Sequence, residues 1–390
     1  MTDFDTQSLR LHEQHRGKIE TGIKGALETS DDLSIAYTPG VAEPCRLIAE
    51  DSSRSFDLTS RGNTVAILTD GSAVLGLGNI GPAAAMPVME GKAALFKAFA
   101  GVDAWPICVD TQDTNEIVNL ARLLAPTFGG INLEDIAAPR CFEIERQLQD
   151  LGIPVFHDDQ HGTAIVLLAG LINAAQLVGK ELTDLSVVIS GAGAAGTAIA
   201  QLLRCVNQDP ELCIPVREIV VCDSRGAIHA HREGLSPEKS AVLAYTNRDN
   251  REGSIHDVLE GTDVFIGVSV GDLLDGDDVR RMNDDAIILA MANPQPEILP
   301  DVAKAAGAAI VGTGRSDFPN QVNNVLAFPG IFRGALDVRA PRITAKMKLA
   351  AAFALAEAVG EATADRILPD PLDRSVPPKV ASAVASAAQS

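Results

Sequence analysis

From Thr64 onward the chain alternates short, wholly apolar runs with longer stretches whose apolar positions recur every three or four residues. "TVAILTD" (64–70) predicts a buried strand and "MEGKAALFKAFAGV" (89–102) a helix. "AWPICVD" (104–110) predicts a strand and "NEIVNLARLLAPTF" (115–128) a helix. "INLEDI" (131–136) is a short strand or turn, "RCFEIERQLQDL" (140–151) a helix and "IPVFHDD" (153–159) a strand. A long helix over 161–179 follows, then strand, glycine turn and helix in "LSVVISGAGAAGTAIAQLLRCV" (185–206). "EIVVCD", "DVFIGVS", "AIILAMANP" and "AAIVGTG" continue as buried strands with helices between them, six βα repeats after residue 180. Strands separated by helices of this length imply βαβ units and mostly parallel sheets, the α/β class. The first 60 residues are polar and helical in pattern, broken at "AYTPGVAEP", where Pro39 and Gly40 turn the chain after Tyr37.

The chain's 390 residues are long for one core, so two domains are expected. Residues 1–160 form the first α/β unit and 161–323 a Rossmann-type, doubly wound unit. Helices from Asn324 to residue 390 come too late for the second sheet and are expected to pack back on the first unit. A formal charge of −20 argues against nucleic acid and against an anionic membrane surface. Residues 163–179 carry no charge but fall short of a membrane span and include Asn173 and Gln176, which makes a buried core helix the better reading. No export signal is read in the acidic start, and Cys45, Cys108, Cys141, Cys205, Cys213 and Cys222 show no CxxC spacing. Six buried, reduced thiols in a soluble cytoplasmic protein are the expectation.

GxGxxG occurs twice, at 76–81 and 191–196. The second match follows an apolar strand and runs straight into a helix, which presents backbone N–H groups to a pyrophosphate. Gly191, Ala192, Gly193, Ala194, Ala195 and Gly196 are therefore the expected dinucleotide loop. The first match meets Pro82 and a loop, with no helix expected until about residue 88, and suits a backbone-lined substrate loop through Gly76 and Gly78. Asp223 ends the next strand, where an acid would bond the ribose 2′-hydroxyl of NAD, and Ser224 and Arg225 follow it. Arg225 could instead hold the 2′-phosphate of NADP, so both cofactors stay open.

Lys92 sits on an otherwise apolar helix, where desolvation would lower its pKa and make it usable as a base, unless it reaches solvent. Glu134–Asp135 and Asp158–Asp159 are acid pairs at strand ends, the side of an α/β sheet that lines a ligand crevice. Clustered carboxylates suit Mg²⁺ or Mn²⁺, though capping and loop acids look the same in a sequence.

"SIAYTPGVAEPC", "ILTDGSAVLGLGNIGPAAAMPVMEGKAALFKAFAG", "INLEDIAAPRCFEIE", "HDDQHGTA", "VVISGAGAAGTAIA" and "TGRSDFPNQVNNVLAFPGIFRGAL" together resemble the small bacterial malic enzymes, in order and over nearly the whole chain. The resemblance implies oxidation of L-malate by NAD(P)⁺ and decarboxylation to pyruvate, with Mn²⁺ or Mg²⁺. It implies Lys92 as the base toward the C2 hydroxyl and Tyr37 as the acid that protonates C3 of enolpyruvate. Glu134, Asp135 and Asp159 match the metal carboxylates, Asp158 an acid beside them, and Asn293 and Asn324 the amides that bond the substrate, Asn293 also lying beside the cofactor. A homodimer is the family expectation. Two positions depart from animal-type members: Ala73 replaces a malate-clamping arginine, and His161 replaces a glutamine. A malolactic reaction, a metal-independent amino-acid dehydrogenase and a non-catalytic nucleotide sensor are the competing readings.

Overall fold

The structure is a computed structural model that describes residues 3–208 and 210–389. The apolar runs condense into two sheets. In the first, β1 (Thr64–Thr69), β2 (Asp103–Cys108), β3 (Gly130–Leu133) and β4 (Val155–His157) are all parallel, in the order β2-β1-β3-β4. The second holds β5 (Ser186–Ser190), β6 (Glu218–Asp223), β7 (Gly226–Ala227), β8 (Val264–Gly267), β9 (Ile287–Ala290) and β10 (Ile310–Thr313), in the order β10-β9-β8-β5-β6-β7. Strand order reverses between β5 and β8, and that switch point opens a crevice beyond their carboxyl ends. Five of these strands are parallel; β7 is a two-residue antiparallel return on β6, so the sixth βα repeat is a hairpin instead.

The two sheets share one apolar core. Val65 and Phe96 on one side and Val187 and Ile189 on the other join it through the helix Asp158–Leu177. That helix is buried along most of its length, and its Asn173 is satisfied by donating to the carbonyls of Ala356 and Ile367 at 3.0 and 2.9 Å. The helix Phe328–Asp337 packs back on the first half, where Phe96 meets Phe328 edge-on at 4.7 Å and Phe332 at 5.3 Å. No described helix is long and apolar enough to cross a membrane.

Three expectations fail. The helix carrying Lys92 begins at Pro82, not near residue 88, with Gly81 as its N-cap. Proline at the first helical position has a suitable φ and lacks only an N–H that would be unpaired anyway. The helix expected from residue 161 opens at Asp158, so Asp158 and Asp159 occupy its first turn and do not end the strand. Cys205 and Cys213 form a disulfide, because the chain doubles back after the helix Ala194–Leu203 and brings their Cα atoms to 5.8 Å. Cys45 is exposed, so the six cysteines are not uniformly buried.

Candidate active site

β3 and β4 are neighbours, so the residues that follow them meet at one edge of the sheet. Oxygens of Glu134, Asp135 and Asp159 come within 4.8 Å of one another there. The Asp135 N–H donates to Asp159 Oδ2 at 2.8 Å, and Asn132 donates to Glu134 Oε2 at 2.8 Å. Lys92 reaches this edge from its own helix. It is 7% exposed, with Nζ 2.8 Å from Glu134 Oε1, in a short contact with Asp158 Oδ2 and 4.3 Å above the Phe328 ring. Asn324 donates to the same Asp158 oxygen at 2.5 Å. Asp158 keeps its pose because position 162 is glycine: a Cβ there would stand 1.9 Å from Asp158 Oδ1.

Charge at this edge is unevenly shared. Burial works against the Lys92 ammonium, but Asp158, Glu134 and Asp159 outweigh it and hold its pKa above the usual lysine range. This reverses the expectation that an apolar helix lowers it, since three carboxylates face one lysine. The acids are left short of positive charge. Burial pushes Asp158 up to about 7 against the pull of Lys92, and it pushes Glu134 and Asp159 up too.

The neighbouring histidines turn elsewhere. Burial lowers His157 to about 4, and its Nδ1 stays 3.7 Å from Asp159. His161 donates from Nε2 to Glu145 Oε2 at 2.8 Å; burial opposes the Glu145 charge, but His161 holds that carboxyl at about 2. Beside the acids, Arg140 donates to Asp70 Oδ2 at 3.0 Å and Ser72 Oγ at 2.9 Å, and the Ala73 N–H donates to the Asp135 carbonyl at 2.9 Å. Sequence reasoning missed Asn132, Gly162 and this Asp70–Ser72–Arg140 network. The signal for Gly162 was present, a glycine inside a helix four positions after an acid.

At the switch point of the second sheet, a cavity of about 720 Å³ is lined by Ser190, Gly191, Ala192, Gly193, Asp223, Ser224, Arg225 and Lys239, with Ala138, Pro139 and Phe142 across from them. Gly191 has φ +118, and a Cβ on Gly196 would stand 1.8 Å from the Gly191 carbonyl. Ala194, Ala195 and Gly196 lie in the first turn of the helix behind this loop, not in the cavity wall. Asp223 is enclosed by cations: Oδ1 accepts from Arg232 and Oδ2 from Lys239, both at 2.5 Å. Burial acts upward on its pKa, but these partners hold it at about 2. The Arg225 backbone N–H donates to Asp223 Oδ1 at 2.9 Å, while its guanidinium donates to the Glu233 carbonyl at 3.0 Å.

The first glycine loop meets the second sheet. A Cβ on Gly76 would lie 2.7 Å from the Asn293 carbonyl, whereas Gly78 faces open space. Asn293 donates weakly to Met291, at 3.3 Å. Tyr37 stands apart from all of this. It is 68% exposed at the end of the helix Ser30–Ala36, and its hydroxyl makes no hydrogen bond to any described residue.

Comparison with known proteins gives a consistent result. Residues 16–149 match the family model "Malic enzyme, N-terminal domain" and residues 160–389 "Malic enzyme, NAD binding domain". The chain is 57% identical to a bifunctional malic/malolactic enzyme of Bacillus subtilis, over 98% of this chain and 92% of that one. It is 55% identical to an NAD-dependent malic enzyme of Geobacillus stearothermophilus, over 95% of this chain and 77% of that one. The crystal structure of an NAD-dependent malic enzyme from Thermotoga maritima superimposes with a TM-score of 0.92 at 45% identity, covering 97% of this chain and 98% of that one.

Proposed function

The chain belongs to the malic enzyme family, and from that premise we propose which of its residues carry each step. It oxidises and decarboxylates malate to pyruvate and CO₂ with NAD⁺ or NADP⁺. The observation that carries the residue assignment is Lys92, buried between Glu134 and Asp158.

Glu134, Asp135 and Asp159 would hold a divalent cation. Their donor set fits one: hard carboxylate oxygens, gathered within 4.8 Å, with burial disfavouring the negative charge of Glu134 and Asp159. Mg²⁺ or Mn²⁺ bound there supplies positive charge that polarises the oxygens of a 2-hydroxy acid. The chain's own groups do the rest. Lys92, as the neutral amine it can become when a cation on Glu134, Asp135 and Asp159 offsets the charge that otherwise holds its own proton, takes the C2 hydroxyl proton as the C2 hydride passes to the nicotinamide. Asp158 orients Lys92 and, through Asn324, the amide that bonds a substrate carboxylate; Asn293 bonds the other beside the cofactor. Gly76 and Gly78 line the substrate side with backbone. Tyr37 returns a proton to C3 once CO₂ has left. Residues 1–160 then form the substrate- and metal-binding part, 161–323 the nucleotide-binding part, and 324–390 the helices that close over the first. Steady-state kinetics with malate and Mn²⁺, run with NAD⁺ and NADP⁺ in parallel, test this. Pyruvate and NAD(P)H should form one for one, and lactate without NAD(P)H would favour the malolactic reading.

The nucleotide preference follows from the cations around Asp223. Its charge is already matched by Arg232 and Lys239, so it repels a 2′-phosphate little. Asp223→Ser frees both cations and removes a ribose acceptor. KM for NADP⁺ should fall several-fold while KM for NAD⁺ rises; an unchanged ratio would remove Asp223 from this role.

We also infer a homodimer. No described residue from 4 to 63 is buried, yet the segment displays Ile23, Leu33, Ile35 and Tyr37, with Ile35 74% exposed. A second copy covering this face would set what the Tyr37 hydroxyl meets. Light scattering should give twice the chain mass. Mixing inactive Tyr37→Phe with inactive Lys92→Ala should restore part of the activity, by pairing an intact tyrosine of one chain with an intact lysine of the other. No recovery under conditions of subunit exchange places both groups in one chain.

A further inference from the structure

Away from the carboxylate edge, His229, His231 and Glu252 present ligand atoms within 4.8 Å of one another. His231 Nδ1 lies 2.8 Å and His229 Nδ1 3.4 Å from the same Glu252 oxygen, Oε1. His229 Nδ1 is buried and makes no hydrogen bond. The pose of the cluster is fixed by its surroundings. Asn250 accepts from the Ala230 N–H at 2.7 Å and places its amide 2.9 Å from His231 Nδ1. Ligand atoms about 2.0–2.2 Å from a tetrahedral ion stand about 3.3 Å apart, near the spacing seen.

We propose that His229, His231 and Glu252 form a second metal site, for a zinc-type ion, that braces the nucleotide cavity. Two imidazoles and one carboxylate favour Zn²⁺, Ni²⁺ or Cu²⁺ over the Mg²⁺ or Mn²⁺ preferred by an all-carboxylate site. One carboxylate leaves part of the ion's charge unmatched, and a solvent-facing position stays open for water. The ion would tie two loops together. In one, Arg232 follows His231 and donates to Asp223 as well as to the carbonyls of Gly226 and Ala227, both at 3.0 Å. In the other, Glu252 precedes Gly253, whose carbonyl accepts from the Ala227 N–H at 2.9 Å, and Ser254, which lines the cavity. The bracing half of the proposal rests on reading that cavity as the NAD(P) site.

The test titrates Zn²⁺ into the full-length protein with the carboxylate site saturated by excess Mg²⁺. One Zn²⁺ should bind to the wild type, and His231→Ala should weaken that binding by about a hundredfold. His231 is mostly exposed, so its loss should leave the fold intact. With Cu²⁺ as probe, electron paramagnetic resonance should show coupling to two imidazole nitrogens, which His229→Gln and His231→Ala should each reduce to one. Binding that His231→Ala leaves unchanged, or a copper signal without nitrogen coupling, would overturn the site. Zn²⁺ should change the Kd of NAD⁺ or NADP⁺ several-fold in the wild type and not in His231→Ala. An unchanged Kd in the wild type would overturn the bracing, whereas a wild type that binds no nucleotide with or without Zn²⁺ would count against the cavity itself.

Discussion

Lys92→Ala should lower kcat for malate oxidation by about 10² to 10⁴, the range expected when a positioned general base is removed. Nucleotide affinity should change little, because the Gly191–Gly193 loop belongs to the other sheet. The substitution also strips Glu134, Asp158 and Asp159 of the one lysine they share, and a buried charge left without its partner costs about 3–5 kcal/mol. Loss of activity alone would therefore not separate a base from a structural counter-ion. Two further measurements do. Lys92→Arg keeps the positive charge between the acids, but a guanidinium does not give up its proton to become a base, so it should restore stability without restoring rate. Added alkylamines should rescue Lys92→Ala partly, with a pH dependence that follows the pKa of the amine. A substantial residual rate at pH 7–8, or full activity in Lys92→Arg, would place the base elsewhere.

The fold was legible because fully buried parallel strands read as unbroken apolar runs. Every residue of "TVAILT" is buried, and the same holds for "SVVIS" and "VFIG". Pro82 misled because proline is a breaker inside a helix and a starter at its first position, and the sequence alone does not say which. The site acids were found from their place after strands, but their balance was not. The partner that dominates Asp158 lies 66 positions earlier, and no local pattern reveals that Lys92 arrives there with Glu134 beside it. Asp223 shows the same limit. Arg225 was its obvious neighbour, yet it gives the carboxylate only its backbone N–H, and the cations on it are Arg232 and Lys239, 9 and 16 positions on. The disulfide escaped for a similar reason, since the chain reversal between Cys205 and Cys213 carries no pairing signature.

Asp159→Asn should abolish activity and, more tellingly, the stabilisation of the fold by Mn²⁺. An ion that binds only the folded state stabilises it by about 2.7 kcal/mol at a hundredfold excess over Kd, which moves a thermal midpoint by several degrees. Asparagine matches aspartate in shape and can still accept from the Asp135 N–H, so the turn at Asp135 should survive. What it lacks is the charge that a hard cation needs from the trio Glu134, Asp135 and Asp159. Asp158→Asn supplies the contrast. Asp158 lies against Lys92 and accepts from Asn324, outside the trio, so its loss should cost activity while Mn²⁺ still raises the midpoint. An equal Mn²⁺ shift in wild type and Asp159→Asn would remove Asp159 from the metal site. A shift lost in Asp158→Asn but kept in Asp159→Asn would exchange their roles, making the residue now assigned to orient Lys92 the ligand.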